Sequence, residues 1–487
     1  MALSTPTSSS VTFPQARSRS HSPVPPRPLA ASSDSGVLRL RRSALLQLLL
    51  VAPLLLAFFG FAIRQHQPAN LPAPPAEAVI RGRILASDGT VLAGGPIGSR
   101  TYPLGAMAGP LLGFTGAVQP DGRFGLEGLE YTLDSRLTAG HDVTLTLDPT
   151  IQAATDRHLA TAAQEHGADT GSAVVLEVGT GRILAAASYP AYDSNEWRTA
   201  GAAQMINRPF LEEYEPGSVI KPLVVAGLLE SGRLDADELV DTPMTLRVGT
   251  QTFRDVAQHG PELSVEDVLA YSSNSGMIHL GERFAPAELH DWLMRFGIGQ
   301  DMDLTTAYTR SGILNPWYRW VPQDQATNSL GQNHSTTALQ LAAAYSVFAN
   351  DGIYVPPRLT AEEQLPAPHR VLSTAVAAEV RGMLTHVTEA SGLRAAVVPG
   401  MGVAAKTGTA DKFNSELNQY VDGDYSLSVA GMFPAADPEV VLVVVLHKPD
   451  EGSTSTYTTG SLFRAISGEV VASWDTAPRL ESYAGGN

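Results

Sequence analysis

One stretch restricts this chain more than any other. Ser43 to Ile63, SALLQLLLVAPLLLAFFGFAI, is 21 residues without a charge. As an α-helix it spans about 30 Å, the thickness of a bilayer's hydrocarbon core. It is too long for the apolar part of a cleaved leader, and no small-residue cleavage site follows it directly. Pro53 falls mid-span, where a membrane helix tolerates it. Arg39, Arg41 and Arg42 stand just before the run, which keeps residues 1–42 cytoplasmic and sends roughly 420 residues to the outer side. The expectation is a single-pass cell-membrane protein whose working part faces the periplasm or the exterior.

Composition shifts divide the rest. Residues 1–42, rich in Ser, Pro and Arg, show no apolar period and read as a disordered tail. Residues 64–78 are a Pro/Ala stalk. Residues 79–150 hold short apolar runs broken by glycines, with Ser87-Asp88-Gly89-Thr90 as a hairpin turn, and predict a small β-rich pedestal. The larger domain, 151–480, opens on a helix-like run. Two strands follow about Gly179-Thr180-Gly181, then mostly helical text to about Ala396. Strands return in GVAAKTGTA, LSVAGMFP and EVVLVVVLHKP, and an amphipathic segment from about Thr459 to Ser473 closes the chain. Strands at both ends with helices between predict an α+β domain whose terminal strands meet in one sheet.

Cysteine is absent, which excludes disulfides, thiolate metal sites and cysteine nucleophiles. The formal net charge is −16, and the first 42 residues are basic, so the body is more acidic still. Such a body argues against nucleic-acid binding. Of 33 basic residues only Lys221, Lys406, Lys412 and Lys448 are lysines. Arginine cannot give up its proton at ordinary pH, whereas a buried lysine can. Lys221 stands three residues after Ser218 in EPGSVIKP, at a helix entrance, so the two share a face. A desolvated amine there can take the serine's proton, and helix N–H groups can face the developing oxyanion. Alone, Ser-x-x-Lys reads better as a helix cap followed by a surface lysine.

Two more stretches narrow the choice. Ser272-Ser273-Asn274 follows, then Lys406-Thr407-Gly408-Thr409 on a predicted strand. The order S-x-x-K, S-x-N, K-T-G resembles the active-site serine penicillin-recognising enzymes. The flanks RGRILASDGTVLA, GLEGLEYTLDSRLTAG, VTLTLDPTIQ, GRILAAASYPAYDSN, RDVAQHG and TALQLAAAYSVFANDG are similar, in order, to class B penicillin-binding proteins, from about Arg81 to Pro449.

The resemblance implies the penicillin-binding transpeptidase fold, an antiparallel five-stranded sheet with helices on both faces. It implies a peptidoglycan D,D-transpeptidase without cofactor or metal. Ser218 would attack between the last two D-alanines of a stem peptide, with Lys221 as base. Ser272 would relay a proton, Asn274 would hold the substrate and steady Lys221, and Lys406, Thr407, Gly408 and Thr409 would bind the substrate. Backbone N–H groups of Ser218 and Thr409 would form the oxyanion hole. β-Lactams would acylate Ser218, and a glycan polymerase of the SEDS family would be the partner.

D,D-carboxypeptidase and a non-catalytic β-lactam sensor or scaffold are the alternatives. The glutamate motif of a deacylating β-lactamase has no counterpart. Asn333-His334 stand where the family has small residues, Ser275 where an apolar one is common, and the head-like insertion of many members is nearly absent. His259, His334 and Asp255 lack metal-ligand spacing. Glu212, Glu213 and Glu215 read as a solvated loop. Trp317, Tyr318 and Trp320 read as cleft lining or a packed loop.

Overall fold

The computed structural model describes residues 80–398, 401–414 and 419–474. The apolar run at 43–63, with the tail and stalk that flank it, lies outside the described residues. None of the described helices is long and apolar enough to cross a membrane. The described residues cluster as one compact unit.

Five strands form its sheet: β1 (Thr170–Glu177), β2 (Ile183–Tyr189), β3 (Ala404–Asn414), β4 (Gln419–Phe433) and β5 (Val440–His447). Their order is β3-β4-β5-β1-β2 and every pairing is antiparallel. The terminal strands do meet, since Val440 to His447 pair with Glu177 to Thr170. All eight residues of β5 are buried, which is why its text is a continuous apolar run rather than an alternation. Side chains along a strand alternate faces. Val441, Val443 and Val445 enter one apolar cluster, and Val440, Leu442, Val444 and Leu446 the other.

Helices cover both faces. α1 (Pro149–Glu165) and α6 (Gly460–Trp474) lie over the second cluster. α1 starts where the Asp148 carboxylate accepts the Thr150 and Ile151 N–H groups, with Pro149 in the first turn. The first cluster holds α2 (Lys221–Glu230), α4 (Ala338–Ala349) and α5 (Thr374–Ala390); α3 (Asn274–Gly281) contributes Met277, Ile278 and Leu280. All twelve residues of α4 are buried, as suits a helix apolar all round.

The segment before α1 is mixed rather than β-rich. Three strands of two or three residues (Ile84–Leu85, Val91–Ala93 and Val143–Thr144) form a small sheet, beside short helices at Gly109–Leu112, Gly128–Thr132 and Asp134–Thr138. The text that read as broken strand, GLEGLEYTLDSRL, carries Leu129, Leu133 and Leu137 every fourth residue, all buried. That is a helical stripe. Ile84, Leu92, Leu111 and Leu112 belong to the same apolar cluster as Val174 and Ile183 of the sheet, so the core is continuous across residue 150.

Candidate active site

Ser218 lies in a 3-10 turn, Gly217–Ile220, that leads directly into α2. Three residues per turn eclipse positions i and i+3, so Ser218 and Lys221 stack along one edge. Gly217 holds φ 62°, and a Cβ there would lie 2.6 Å from the Thr409 carbonyl oxygen. From the other side, a Cβ on Gly408 would lie 2.7 Å from Pro216 O and 2.4 Å from Ser428 Oγ. Glycine at both positions lets the turn and β3 touch backbone to backbone. The backbone that Gly408 admits is thus this chain's own turn. From beneath, the buried Tyr345 of α4 donates its hydroxyl to Val219 O at 2.7 Å.

Lys221 is fully buried. Its Nζ donates to Ser272 O (2.7 Å), Ser272 Oγ (3.2 Å), Ser273 O (3.4 Å) and Asn274 Oδ1 (2.8 Å). None of its bonds, among the described residues, goes to Ser218, so the amine is anchored on the S-x-N turn. Burial holds this amine well below the usual lysine range, the nearby Lys406 lowers it further, and Asp255 opposes them. Lys406, also buried, is brought down by burial to about 7, and its Nζ donates to Thr407 O at 3.2 Å. Ser218, Ser272 and Asn274 are half-buried and Thr409 is exposed, its hydroxyl 3.4 Å from Ser455 Oγ.

The three motifs therefore converge: S-x-x-K and S-x-N through Lys221, K-T-G through Gly408 and Lys406. β3 is an edge strand of the sheet, with β4 on one side and the nucleophile turn packed near the other.

Residues that spacing did not single out hold this arrangement. Ser272 has φ 55°, an uncommon conformation for serine. Asp255, 8% exposed, accepts hydrogen bonds from the turn that follows it. Burial would raise this carboxyl, but the Ser273 hydroxyl, the Ser275 and Asn274 N–H groups and His259 together bring it below its usual value. Ser275, where an apolar residue was expected, is one of these donors.

The acidic run before Ser218 is not a solvated loop. Glu212 pairs with Arg208 at 2.9 Å, Glu213 accepts the Gly312 N–H at 3.1 Å, and Glu215 accepts the Asn333 N–H at 2.9 Å. Asn333 has φ 63°, a position for glycine that asparagine also tolerates. That explains how it replaces a small residue. Gly331 beside it accepts the Gly217 N–H at 2.8 Å, and a Cβ there would sit 1.9 Å from Gly217 O. His334 is buried, donates its Nδ1–H to Asn328 Oδ1 at 2.9 Å, and is held by burial at about 4, hence neutral. Trp317 and Tyr318 are exposed, and Trp320 donates its indole N–H to Asn315 O within the same loop.

Residues 171–468 match the profile of the penicillin binding protein transpeptidase domain. The "Probable peptidoglycan D,D-transpeptidase PenA" of Neisseria gonorrhoeae is 35% identical over 382 residues, covering 72% of this chain and 64% of that protein. The peptidoglycan D,D-transpeptidase FtsI of Escherichia coli K12 is 31% identical over 411 residues, 78% of this chain and 68% of FtsI. Among solved structures, penicillin binding protein 3 of Mycobacterium tuberculosis, in its apo form, superposes with a TM-score of 0.75 at 31% identity. That alignment takes in 82% of this chain and 98% of the other. The same protein complexed with aztreonam gives 0.75 at 30% identity, with the same coverage.

Proposed function

Since this chain belongs to the penicillin-binding protein transpeptidase family, as a class B member, we propose that it is a peptidoglycan D,D-transpeptidase acting through an acyl-enzyme on Ser218. One observation carries the reading: a buried lysine held below its usual range sits among Ser272 Oγ, Ser272 O and Asn274 Oδ1, one helical step from Ser218.

A neutral amine donates two protons to these acceptors and keeps a lone pair for the proton of Ser218. Ser218 Oγ forms a bond to the penultimate D-alanine carbonyl carbon, its proton passing to Lys221. The oxyanion is met by the N–H groups of Ser218 and Thr409. The C–N bond then breaks, and D-alanine leaves with a proton relayed through Ser272. An acceptor amine on a neighbouring stem attacks the ester, loses its proton by the reverse route and frees Ser218. The edge of β3 suits an extended peptide added as a further strand, with Lys406, Thr407 and Thr409 near its free carboxylate.

β-Lactams enter the same path, as acyl donors whose leaving group stays attached. Residues 43–63 serve as the membrane anchor, with the catalytic part on the outer side and a SEDS-family glycan polymerase as partner. The anchor rests on the uncharged run and the three arginines before it, the partner on the family resemblance alone. The chain spans 64% of the length of PenA, so contacts made by that relative's additional residues do not carry over.

The test is covalent labelling of the full-length chain in detergent with a fluorescent penicillin, followed by intact mass over hours. A stable adduct is expected on wild type and none on Ser218→Ala. Loss of the adduct within minutes would favour a carboxypeptidase-like hydrolase, and no adduct on folded wild type would leave only a scaffold.

A further inference from the structure

We propose that Asp255, braced by His259, is a positioning residue of the reaction: its carboxylate sets the Ser272–Asn274 turn so that four oxygens converge on Lys221 Nζ. The inference rests on the reading of Ser218 and Lys221 above.

Asp255 follows the strand Gln251–Arg254. Its Oδ1 accepts the N–H groups of Asn274 (2.6 Å) and Ser275 (3.1 Å). Oδ2 accepts the hydroxyls of Ser273 (2.5 Å) and Ser275 (3.0 Å), and His259 Nε2 at 2.8 Å. Five donors on one buried carboxylate fix both the rotation and the height of the turn. The Asp255 side chain thus touches three consecutive residues, Ser273, Asn274 and Ser275.

What is fixed matters because Ser272 is held against its preference. A left-handed backbone is disfavoured for serine, and the surrounding bonds must offset that cost. In that conformation Ser272 O meets Lys221 Nζ at 2.7 Å. The Asn274 side chain is set by the neighbouring residue of the same strand: Arg254 O accepts from Asn274 Nδ2 at 2.9 Å, which turns Oδ1 toward Lys221. One dipeptide, Arg254-Asp255, thus aligns both the main chain and the amide of the motif.

His259 secures the dipeptide. Its ring is almost wholly enclosed, and its nitrogens span Asp255 Oδ2 and Gly260 O at 2.8 and 2.7 Å. Asp255 has a second effect through space. The charged groups acting on Lys221 are Lys406 from β3 and Asp255 from this turn, and only Asp255 favours the protonated amine. Asp255 touches no reacting atom, so it acts through Lys221 and Asn274.

The full-length chain in detergent, labelled with 13Cε-lysine, provides the test. Four lysines make the spectrum simple, and Lys221→Arg assigns one signal. In Asp255→Asn the Lys221 signal should titrate about one pH unit lower, because an anion beside it has gone. Penicillin acylation of the same sample should slow about 100-fold, the usual consequence of displacing a base by about an ångström. His259→Ala should slow acylation about tenfold, and His259→Gln, which retains an N–H donor, should return most of it.

Asp255→Asn that titrates and acylates like wild type would overturn the proposal. Should that variant not fold, the His259 pair decides: equal rates for His259→Ala and wild type would also overturn it. A wild type that never acylates would remove the transpeptidase reading, while the Lys221 titration would still judge Asp255.

Discussion

Lys221 and Lys406 are two lysines that this chain buries, and burying them has a thermodynamic signature. Both are held below the ordinary lysine range by burial, Lys406 at about 7. Between that value and the ordinary one near 10.5, the unfolded chain binds protons that the native one does not. Stability therefore rises with pH across this window and falls as pH drops toward 7. Relative to Lys406→Met, wild type should gain up to about 1.4 kcal/mol per pH unit from 7 to 9, read as denaturant midpoints at several pH values. A slope of the opposite sign would mean that Lys406 is charged in the native state. Chemistry at the same scale is sharper. Lys221→Arg keeps the charge but cannot act as a base, so the penicillin acylation rate should fall about 10²–10⁴-fold. Retention of even a tenth of the wild-type rate would remove Lys221 from that role.

Between elements, the contact that matters is the nucleophile turn against β3. Gly408→Ala puts a methyl 2.7 Å from Pro216 O, which is backbone and cannot swing away. Overpacking of this kind costs about 1–3 kcal/mol and would move Ser218 with it. Acylation should drop at least about tenfold, and a Gly408→Ala enzyme of normal rate would mean the turn slides freely along the strand. The small sheet before α1 offers a second case. Arg81 bonds Glu130 and Asp134, and Arg100 bonds Glu130, with all four side chains buried. Glu130→Ala leaves two arginines short of their shared partner and should cost about 3–5 kcal/mol, measured as the unfolding midpoint in denaturant. This scale also marks the limit of what the sequence made legible. Ser218, Lys221, Ser272, Asn274, Lys406 and Gly408 were readable because each motif is local and its order is distinctive. Asp255, Glu215 and Gly331 were not, because their partners lie across folded space and no period or spacing records a carboxylate accepting N–H groups from another loop. The helices at Gly128–Thr132 and Asp134–Thr138 were misread because their glycines outweighed a stripe of three leucines.

Across the whole molecule, polarity is distributed by position along the chain. A basic tail and an uncharged run of 21 residues precede a body more acidic than the overall −16. β1 and β5, far apart in the sequence, lie side by side in one sheet, and the text between them supplies apolar residues to the clusters on both of its faces. The net negative charge of such a body opposes its attraction to anionic lipid headgroups, whose surface potential favours basic segments. No helix among the described residues can cross a bilayer. On the anchor proposed above, attachment falls on Ser43–Ile63. Full-length chain expressed in a bacterial host should stay in the membrane pellet through high salt and alkaline carbonate and leave it only with detergent. The same chain lacking residues 43–63 should be recovered in the soluble fraction and still be acylated by penicillin, since the site is built wholly from residues after 213. Salt-sensitive pelleting of the shortened chain would reveal a second, electrostatic attachment, through its basic tail or its body, and contradict the reading of Ser43–Ile63 as the anchor.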